Sequence, residues 1–463
     1  MEVDSAKAKE QLREAIEATD GSAVLRIASD LHYADIAETL ERLPNAGSRA
    51  FAIRILDDET LSEVLPELPE SQIEGAIEAL SISRQKAFLE ETADDDRVDI
   101  LQDLSARKRE ALLQLLPKDE EALTRNLLRY ESDTAGGRMT TQIGVLRADQ
   151  TVRQAIESLR QEQEDTETLA RIFVTDSDQR PLGKLRLRDL AFNTWDTPVR
   201  DIMQPVEHSI LATADQEEAA NMLRKYDLVV LPVTDEFGHL RGVITYDDAM
   251  EILSQESTED IEKMSGISGD QSEEGYLQTS LLTHFRRRFG WLSILAILAI
   301  ASGYAMMRYE DVLTSAFLLS LFLPMVVASG GNTGGQAATM VIRAMSLGEL
   351  EPGNAVRVGL RELRLGIAMG LALGLFTFLV CIGLLPLFST LPGEMTFLAF
   401  GSAVGCAVMI QIATSTLTGA LLPLGARALK LDPAVVAAPA ITTLVDISGM
   451  VIYFTVAKIM LGL

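Results

Sequence analysis

An acidic residue, Asp446, lies inside an otherwise apolar C-terminal segment that also contains Thr442 and Thr443. A carboxylate near the centre of a membrane helix costs roughly 2.5–3.5 kcal/mol on insertion scales, so such acids are rare and are typical of ion or proton paths. Thr442 precedes Asp446 by one helical turn, and Pro439 has no N–H to donate to the Val435 carbonyl, so several oxygens can line one path. The alternative is a protonated Asp446 that hydrogen-bonds a neighbouring helix.

A second polar feature interrupts another apolar segment. It is the run Ser329-Gly330-Gly331-Asn332-Thr333-Gly334-Gly335. Polar, glycine-rich backbone at membrane depth is tolerated only where it is buried in protein or faces a water-filled path. We therefore expect this segment to be broken in its middle.

Acidic residues crowd the stretch before the first apolar segment. They are Asp247, Asp248, Glu251, Glu256, Glu259, Asp260 and Glu262. A solvated helical face explains most such runs. In a strongly acidic region, however, carboxylates from different elements repel one another, and a shared divalent cation removes that repulsion, because hard cations such as Mg²⁺ take oxygen ligands. The pattern predicts an ion sensor that closes at high ion concentration and loosens at low concentration.

The elements that must position these residues include five long apolar stretches after Phe285. Each is long enough for the ~20 residues that cross the hydrocarbon core of a bilayer. They are Phe289 to Met307, Leu313 to about Ala344, Leu363 to Leu387, Phe397 to Leu424, and Ala434 to Leu461. A soluble helical core can show such hydropathy in one segment, but hardly in five. We predict a multi-pass membrane protein.

Charge divides the chain at the same place. Residues 1–285 contain 30 Lys and Arg against 59 Asp and Glu, and residues 286–463 contain 11 against 8, which gives net charges of −29 and +3. Nine cations of the second part flank the spans on one side of the membrane, and two, Arg308 and Lys458, lie on the other. By the positive-inside rule, the N-terminal 285 residues are expected in the cytoplasm and the C-terminus outside. The polar, acidic N-terminus shows no cleavable signal.

Residues 1–137 are predicted to form an all-helical superhelix. Leucines close successive amphipathic stretches at a step of about twelve residues, with one leucine of the series missing between Leu80 and Leu104. They are Leu43, Leu56, Leu68, Leu80, Leu104 and Leu116. Such a surface binds a partner or moves as one body, and it offers no catalytic cluster. The four histidines are scattered, and the chain has neither a Walker loop nor a nucleophile motif, so an enzyme is not expected.

Two copies of one pattern follow, in residues 138–200 and 201–254. Each contains an amphipathic helix, an apolar strand, an acidic turn, a second strand and a closing helix. This duplication resembles tandem CBS domains, a regulatory module that commonly binds adenine nucleotides. The resemblance implies that Thr245 and Asp248 bond phosphate and ribose; Arg186 and Asp189 are the matching residues of the first copy, where the arginine departs from the pattern. The alternative is a nucleotide-free dimerisation module.

The membrane motifs resemble those of the MgtE magnesium transporter family. These motifs are Leu323-Pro324 with the following run to Thr339, Arg361-Glu362-Leu363, and Asp432-Pro433-Ala434 followed by Pro439, Thr442, Thr443, Asp446 and Gly449. The resemblance covers the whole chain in order. It implies a multidomain fold with an all-α superhelical N-domain, α/β tandem CBS domains, an acidic connecting helix at 255–288 and an all-α five-span transmembrane domain at 289–463. It also implies a homodimeric Mg²⁺ channel, gated by cytoplasmic Mg²⁺ and modulated by ATP.

By the same resemblance, Asp446 is the pore acid. Two copies across a dimer axis give a site of charge −2, which matches one dication. The pore residues expected with it are Thr442, Thr443, Asn332, Gly331 and Glu362. An acid that snorkels to the interface is the alternative for Glu362. Ala438 and Gly335 lack the amide or other polar groups that some members carry there, so selectivity among divalent cations can differ.

The family's ion-sensing acids map onto the N-domain, the second CBS domain, the connecting helix and the membrane surface. They are Asp95, Asp99, Asp215, Glu217, Asp227, Asp248, Glu251, Glu256, Glu259, Asp260 and Asp432. Asp432 and Asp260 are the pair expected to share an ion directly in the closed state. One stands at the cytoplasmic end of the last span, and the other lies on the helix beneath it.

The expected activity is passive Mg²⁺ influx across the plasma membrane. Mg²⁺, a second copy of the chain, membrane lipid and an adenine nucleotide are the expected partners, and nucleic acid is not. A broader channel for Co²⁺ or Mn²⁺ is one alternative. A membrane-anchored nucleotide sensor without transport is another, although the intramembrane Asp446 argues against it.

Overall fold

The computed structural model describes residues 2–161, 168–267, 279–350, 352–392 and 395–463, with the backbone only for a few of them, among them residues 435–440. These residues divide into two compact units. The first contains residues 2–257 and the second residues 258–463.

The described part of the first unit begins with ten short helices. They are α1 Glu2–Glu17, α2 Gly21–Ala28, α3 Tyr33–Glu41, α4 Ala46–Ile55, α5 Asp58–Val64, α6 Glu70–Ala79, α7 Ile82–Glu91, α8 Asp94–Asp103, α9 Ala106–Leu113 and α10 Lys118–Leu127. Asp20, Asn45, Asp57 and Ser81 begin helices by accepting a backbone N–H with their side chains. The six periodic leucines are all buried in one core, and the all-helical prediction for this region is confirmed.

Two α/β repeats complete the first unit, as predicted. The first contains β1 Ile143–Arg147, α11 Val152–Gln161, β2 Thr168–Thr175, β3 Pro181–Leu185 and α12 Leu187–Ala191. The second contains β4 Ile210–Leu211, α13 Gln216–Lys225, β5 Val230–Thr234 and β6 Leu240–Thr245. In both sheets the first strand pairs in parallel with the second, and the second pairs antiparallel with the third.

The segments that introduce the two repeats are exchanged between them. Thr140 and Val243 exchange two backbone hydrogen bonds of 2.9 Å, so the first residues of the first repeat pair with the sheet of the second. Lys184 and Gln204 exchange bonds of 2.7 and 2.9 Å in the same way. Sequence order and spatial order therefore differ at this boundary, because backbone pairing rather than chain continuity assigns each segment to a sheet.

A long acidic helix, α14 Tyr246–Met264, follows β6 directly. It begins as the closing helix of the second repeat and carries the acids expected on the connecting helix. Of the predicted connecting helix at 255–288, residues 268–278 lie outside the described residues. The next described helix, α15, begins at Leu281.

The second unit is helical. It contains α15 Leu281–Met307, α16 Glu310–Ser315, α17 Leu319–Ser346, α18 Ala355–Gly383, α19 Phe397–Ala428 and α20 Pro433–Leu461, with short 3-10 turns at Pro352–Asn354 and Leu385–Leu387. Among the described residues, four stretches are long and apolar enough to cross a membrane: Leu281–Met307, Ala355–Leu387, Phe397–Ala428 and Ile441–Leu461. The fifth long helix, α17, has 28 residues, but its middle is rich in glycine and amides. Five spans therefore remain a prediction.

The predicted break in the second apolar segment was wrong. Helix α17 runs without interruption from Leu319 to Ser346, through the whole Gly/Asn run. The glycines are used for close helix packing: a Cβ at Gly419 of α19 would lie 2.1 Å from the Gly334 carbonyl oxygen. The backbone thus keeps its intrahelical hydrogen bonds, which removes the need for a polar path to solvate it.

The largest apolar core of the second unit lies near the C-terminal end of α20. Phe322, Phe400, Tyr453 and Phe454 are buried there, and the Tyr453 hydroxyl donates to the Leu319 carbonyl at 2.8 Å. Helix α19 packs against α17, α18 and α20. The position of α20, and hence of the acid on it, is fixed mainly by its contacts with α17 and α19.

Candidate functional site

Asp446 lies in the middle of α20 and is half-buried. Its neighbours along the helix separate two faces: Val445 and Gly449 are buried, whereas Thr442, one turn before Asp446, is exposed. No described residue forms a hydrogen bond or ion pair with the Asp446 carboxylate. Thr443 is half-buried. The predicted polar residues of this helix therefore include one carboxylate that no residue in the described part of the chain neutralises.

The glycine-rich helix α17 packs against α20 at this level. A Cβ at Gly330 would lie 2.9 Å from Val445 Cγ1, and a Cβ at Gly334 would lie 3.1 Å from Ile441 Cγ2. Gly331 and Gly335 have open space where a Cβ would be, and Asn332 is exposed. The two faces of α17 are thus distinct, and the predicted pore residues Gly331 and Asn332 lie on the face that the described residues leave uncovered.

The remaining predicted pore residues differ in what the structure says of them. Glu362 is half-buried near the start of α18, whose main packing partner is α19. Within the described residues, no contact between Glu362 and Asp446 is seen. The side chains of Pro439 and Ala438 lie outside the described residues, so the predicted roles of both stay predictions.

The membrane end of the acidic helix forms an ionic cluster with the start of α20. Lys263 Nζ lies 2.8 Å from Asp432 Oδ2 and 2.6 Å from Glu259 Oε1. The other Asp432 oxygen accepts the Ala434 N–H at 2.8 Å and so begins α20. Asp260 accepts a weak hydrogen bond from Ser346 Oγ at 3.4 Å. The structure brings the predicted pair Asp432 and Asp260 into one cluster, with a lysine ammonium as its internal counterion.

The surroundings of Asp260 in this cluster disfavour the ionised form of its carboxyl group. Partial burial, followed by the nearby Asp432 carboxylate, raises the pKa of Asp260 above its ordinary value. Burial lowers the pKa of Lys263, but its hydrogen bonds to Asp432 and Glu259 outweigh this and raise it. Lys263 therefore carries its charge throughout the physiological range, and sequence reasoning missed it because its partner is far away in the chain.

Apolar and ionic contacts hold the same segment to the membrane helices. Met264 packs against a cluster that contains Ile342, Ile441 and Val445. Arg287, near the start of α15, forms an ion pair with Glu262. The last turn of the acidic helix is thereby connected, through one apolar cluster, to the residue that precedes Asp446.

The predicted acids of the first unit meet at an arginine. Arg138 bonds Asp99 Oδ2 at 2.5 Å, Gln216 Oε1 at 2.9 Å and Gln255 Oε1 at 3.0 Å. Gln216 in turn donates to Glu256 at 2.6 Å. Arg138 therefore joins α8, α13 and α14. Its positive charge lies beside Asp99, one of the acids that were predicted to bind a metal ion.

The other predicted sensing acids are spread over several positions. Asp95 is buried, and Asp215 begins α13 by accepting the Glu217 N–H at 2.7 Å. Asp227 is exposed and adopts a left-handed conformation with φ of 50°. Glu251 is exposed on α14, and its charge adds to partial burial in raising the pKa of Glu67, an acid that the sequence did not single out.

No group of three or more His, Cys, Asp or Glu residues within the described ranges is arranged to hold a metal ion. The regulatory ion sites thus remain predictions. Carboxylates that face Arg138 and Lys263 have the donor chemistry that Mg²⁺ prefers, but the first shell would have to be completed by water or by a further carboxylate.

The predicted nucleotide residues form equivalent pairs in the two repeats. Asp248 accepts hydrogen bonds from the hydroxyl and the N–H of Thr245, and Asp189 accepts from the N–H and the Nε of Arg186, at 3.0 and 3.1 Å. Burial raises the pKa of Asp248. Burial also acts on Asp189, but its bonds to Arg186 outweigh it and lower the pKa. A nucleotide at either position would have to share these partners.

The second unit has helices long and apolar enough to cross a membrane, and one of them carries Asp446, which no described residue neutralises. Preceded by a tandem CBS pair, this arrangement defines a membrane transport protein with a regulatory module. Residues 323–456 match the family model described as MgtE, divalent cation transporter. Residues 31–133 match the MgtE intracellular N domain, and residues 135–193 and 199–255 match the CBS domain. The chain belongs to the MgtE family, as the resemblance of its motifs indicated, and a member of this transporter family is not an enzyme.

Named relatives extend over most of the chain. A magnesium transporter MgtE of Thermus thermophilus is 33% identical over 97% of this chain and 98% of its own length. A magnesium transporter MgtE of Bacillus subtilis is 28% identical over 93% and 92%. A crystal structure of the cytosolic domain of the Mg²⁺ channel MgtE in complex with ATP is 32% identical, with a TM-score of 0.50, and covers 53% of this chain and 99% of that one.

Proposed function

We propose that this chain is a Mg²⁺-selective channel of the plasma membrane, that it works as a homodimer, and that it carries Mg²⁺ passively into the cell. The observation that carries the proposal is Asp446, which no described residue neutralises, on a helix packed against the glycine-rich α17. The relatives named as magnesium transporters support the choice of ion. Asp446, Thr442 and Thr443 would contribute from α20, Gly331 and Asn332 from the uncovered face of α17, and Glu362 from the start of α18.

A second copy of the chain completes the proposed ion site. One carboxylate does not match a dication, whereas two Asp446 residues related by a two-fold axis supply charge −2. Magnesium dehydrates reluctantly, so a site of two carboxylates and several waters suits it. With a negative cell interior, the driving force is about 4.6 kcal/mol per ion per 100 mV, twice the value for one elementary charge.

Gating would use the predicted sensing acids of both units, of which Asp99 lies beside Arg138 and Glu259 and Asp432 lie beside Lys263. When internal Mg²⁺ falls, repulsion among carboxylates of the two copies separates the surfaces, and when it rises, bound ions bring them together and close the pore. The candidates on the first unit are Asp95, Asp99, Asp215, Glu217, Asp227, Asp248, Glu251 and Glu256, and those on the second are Glu259, Asp260 and Asp432. The net charge of −29 before residue 286 supports this, because it is largely unbalanced within one chain.

Adenine nucleotide binding is proposed for the CBS pair, since the similar cytosolic domain was solved with ATP. The residues concerned are Thr245 with Asp248 and Arg186 with Asp189. Calorimetric titration of ATP into the full-length Asp248→Asn and Asp189→Asn proteins distinguishes between the two repeats. Unchanged affinity in both variants would remove these residues from the proposal.

Reconstituted protein in liposomes tests transport, ion identity and gating together. We expect Mg²⁺ uptake that falls as internal Mg²⁺ is raised, and a loss of about 100-fold or more in Asp446→Asn, equivalent to about 2.7 kcal/mol. Asp311→Asn removes an exposed acid on the short helix α16 and is the matched control. Wild-type, selective uptake by Asp446→Asn would contradict the pore assignment.

A channel open to several divalent cations is the second candidate. Gly335 and Ala438 favour it because neither carries a side-chain hydrogen-bond partner that would hold one hydrated ion. Uptake of Mn²⁺ or Co²⁺ at rates similar to Mg²⁺ would support this candidate, whereas nucleotide binding without any flux would support a non-transporting sensor.

A further inference from the structure

Gln411 is a buried amide in the middle of the apolar helix α19. Its side chain has no exposed surface, and its Nε2 donates to the backbone carbonyl of Val445 at 2.9 Å. Val445 immediately precedes Asp446. The bond therefore connects two helices at the one level of α20 that carries the intramembrane acid.

Two glycines make room for this amide. A Cβ at Gly449 of α20 would lie 2.7 Å from Gln411 Nε2, and a Cβ at Gly330 of α17 would lie 2.4 Å from the same atom. Any side chain at either position would have to displace the amide. Gln411 thus lies over the turn of α20 from Val445 to Gly449, and this turn includes Asp446.

Packing alone does not require an amide here. Within the described part of the chain, Gln411 Oε1 and the buried Ser415 Oγ have no hydrogen-bond partner, which leaves the desolvation of both atoms uncompensated. A methionine has nearly the same length and flexibility and would fill the space without this cost. What the amide adds is a directional bond to one carbonyl.

We propose that Gln411 is a positioning residue for Asp446. By donating to the Val445 carbonyl it fixes the rotation of α20 about its axis, so that the Val445 side chain packs against α17 and Gly449 against α19. Asp446, one residue further round the helix than Val445, is thereby held off this packed face and stays half-buried. The role of Asp446 as an ion ligand rests on the proposed function. The orientation of its side chain does not.

The orientation is tested first, without any ion flux. In full-length protein with Cys381→Ala and Cys406→Ala, the Asp446→Cys thiol is modified by a water-soluble, membrane-impermeant reagent. We expect Gln411→Met to slow this modification about three- to tenfold, the range that one interhelical hydrogen bond supports. Thr416→Val is the matched control, because among the described residues the buried Thr416 hydroxyl bonds only the Ile412 carbonyl of its own helix, at 2.7 Å. An equal rate in Gln411→Met and Thr416→Val overturns the proposal.

The second arm measures uptake with Asp446 intact. We expect Gln411→Met to raise the half-saturating external Mg²⁺ concentration by about three- to tenfold and to relax discrimination against Mn²⁺, with Thr416→Val unchanged. A fall in the yield of folded protein with unchanged half-saturation and selectivity indicates a packing role only and overturns the proposal. Gly449→Ala, which places a methyl group against the same amide, gives an independent variant if Gln411→Met does not fold.

The two arms separate this inference from the proposed function. Retained flux in Asp446→Asn together with slowed modification in Gln411→Met would end the pore assignment and keep the positioning role of Gln411. Lost flux in Asp446→Asn together with unchanged modification and half-saturation in Gln411→Met would do the opposite.

Discussion

Lys263 and Asp432 are 169 residues apart in the sequence, yet the lysine ammonium lies 2.8 Å from the aspartate carboxylate. The same ammonium pairs with Glu259, and the other Asp432 oxygen begins α20. The contact therefore joins the last turns of the acidic helix to the first turn of the helix that carries Asp446. A partly exposed ion pair contributes only about 0.2–1 kcal/mol, so a divalent cation can displace this ammonium.

Replacing Lys263 by methionine should make the contact between α14 and the start of α20 depend more strongly on internal Mg²⁺. Without the internal cation, Asp260, Glu259 and Asp432 repel one another, so we expect flux at low internal Mg²⁺ to rise about 1.5- to 5-fold. Inhibition at high Mg²⁺ should be retained. Lys458→Met makes the same charge change at the opposite end of α20 and should have no effect. An unchanged Mg²⁺ dependence in Lys263→Met would show that the ion pair has no part in gating.

Acidification should weaken the inhibition by internal Mg²⁺ at this cluster, because a proton and the ion compete for the Asp260 carboxylate. The folded pKa of Asp260 is raised, so the folded state binds its proton more tightly than the unfolded state does, and the free energy of unfolding falls as pH rises from the ordinary aspartate value through the raised one. The groups that face it are Asp432, Glu259 and Lys263. We expect the Mg²⁺ concentration for half-inhibition to increase as pH falls towards that value, because protonated Asp260 no longer binds the ion.

Asp260→Asn should remove this part of the pH dependence, because an amide imitates the protonated acid. The measurement is the half-inhibitory Mg²⁺ concentration in liposomes buffered inside at a series of pH values, with Asp311→Asn as control. If Asp260→Asn and the wild type show the same slope, another group controls the response.

Removing the positive charge of Arg138 should loosen the first unit at low divalent concentration. Its bonds to Asp99, Gln216 and Gln255 join three helices, and hydrogen bonds to charged groups contribute about 1.5–3 kcal/mol each. We expect Arg138→Gln to increase amide hydrogen exchange at the ends of α8 and α13 in the full-length protein. Millimolar Mg²⁺ should partly restore protection, because it can neutralise the same carboxylates.

The control for Arg138 is Arg125→Gln. Arg125 also pairs with two acids, Glu110 and Glu121, but it is more exposed and lies within the N-terminal helices. Its loss should leave the exchange of α13 unchanged with and without Mg²⁺. Equal exchange in the Arg138 variant and the wild type would contradict a joining role for this residue.

Two glycines of α19 should respond in opposite ways to alanine. A Cβ at Gly419 would overlap the Gly334 backbone, so we expect Gly419→Ala to destabilise the second unit by about 1–3 kcal/mol. Gly425 has open space around it, and alanine there should stabilise the helix by up to about 1 kcal/mol. The measurement is the temperature at which purified protein in detergent loses its single chromatographic peak. Equal transition temperatures for Gly419→Ala and Gly425→Ala would show that the close packing of α17 on α19 does not contribute to stability.

The sequence was most informative where the signal is local. The leucine step predicted an all-helical first region, and the duplicated strand pattern predicted the two sheets, because both depend on which side chains share a face. Asp446 was identified from its cost alone, since no partner needs to be known to see that a charge in an apolar helix is unusual. The order of motifs indicated the MgtE family, and the comparisons confirm it.

Where a polar group finds its partner was decided only by the tertiary structure. The Gly/Asn run looked like a break, but helix packing against Gly419 keeps it helical. Arg138, Lys263 and Gln411 gave no signal as single residues, because each acts on a group that is distant in sequence. Composition and spacing determine which residues are costly or buried, whereas the pairing of charges and amides depends on backbone positions that many long-range contacts fix together.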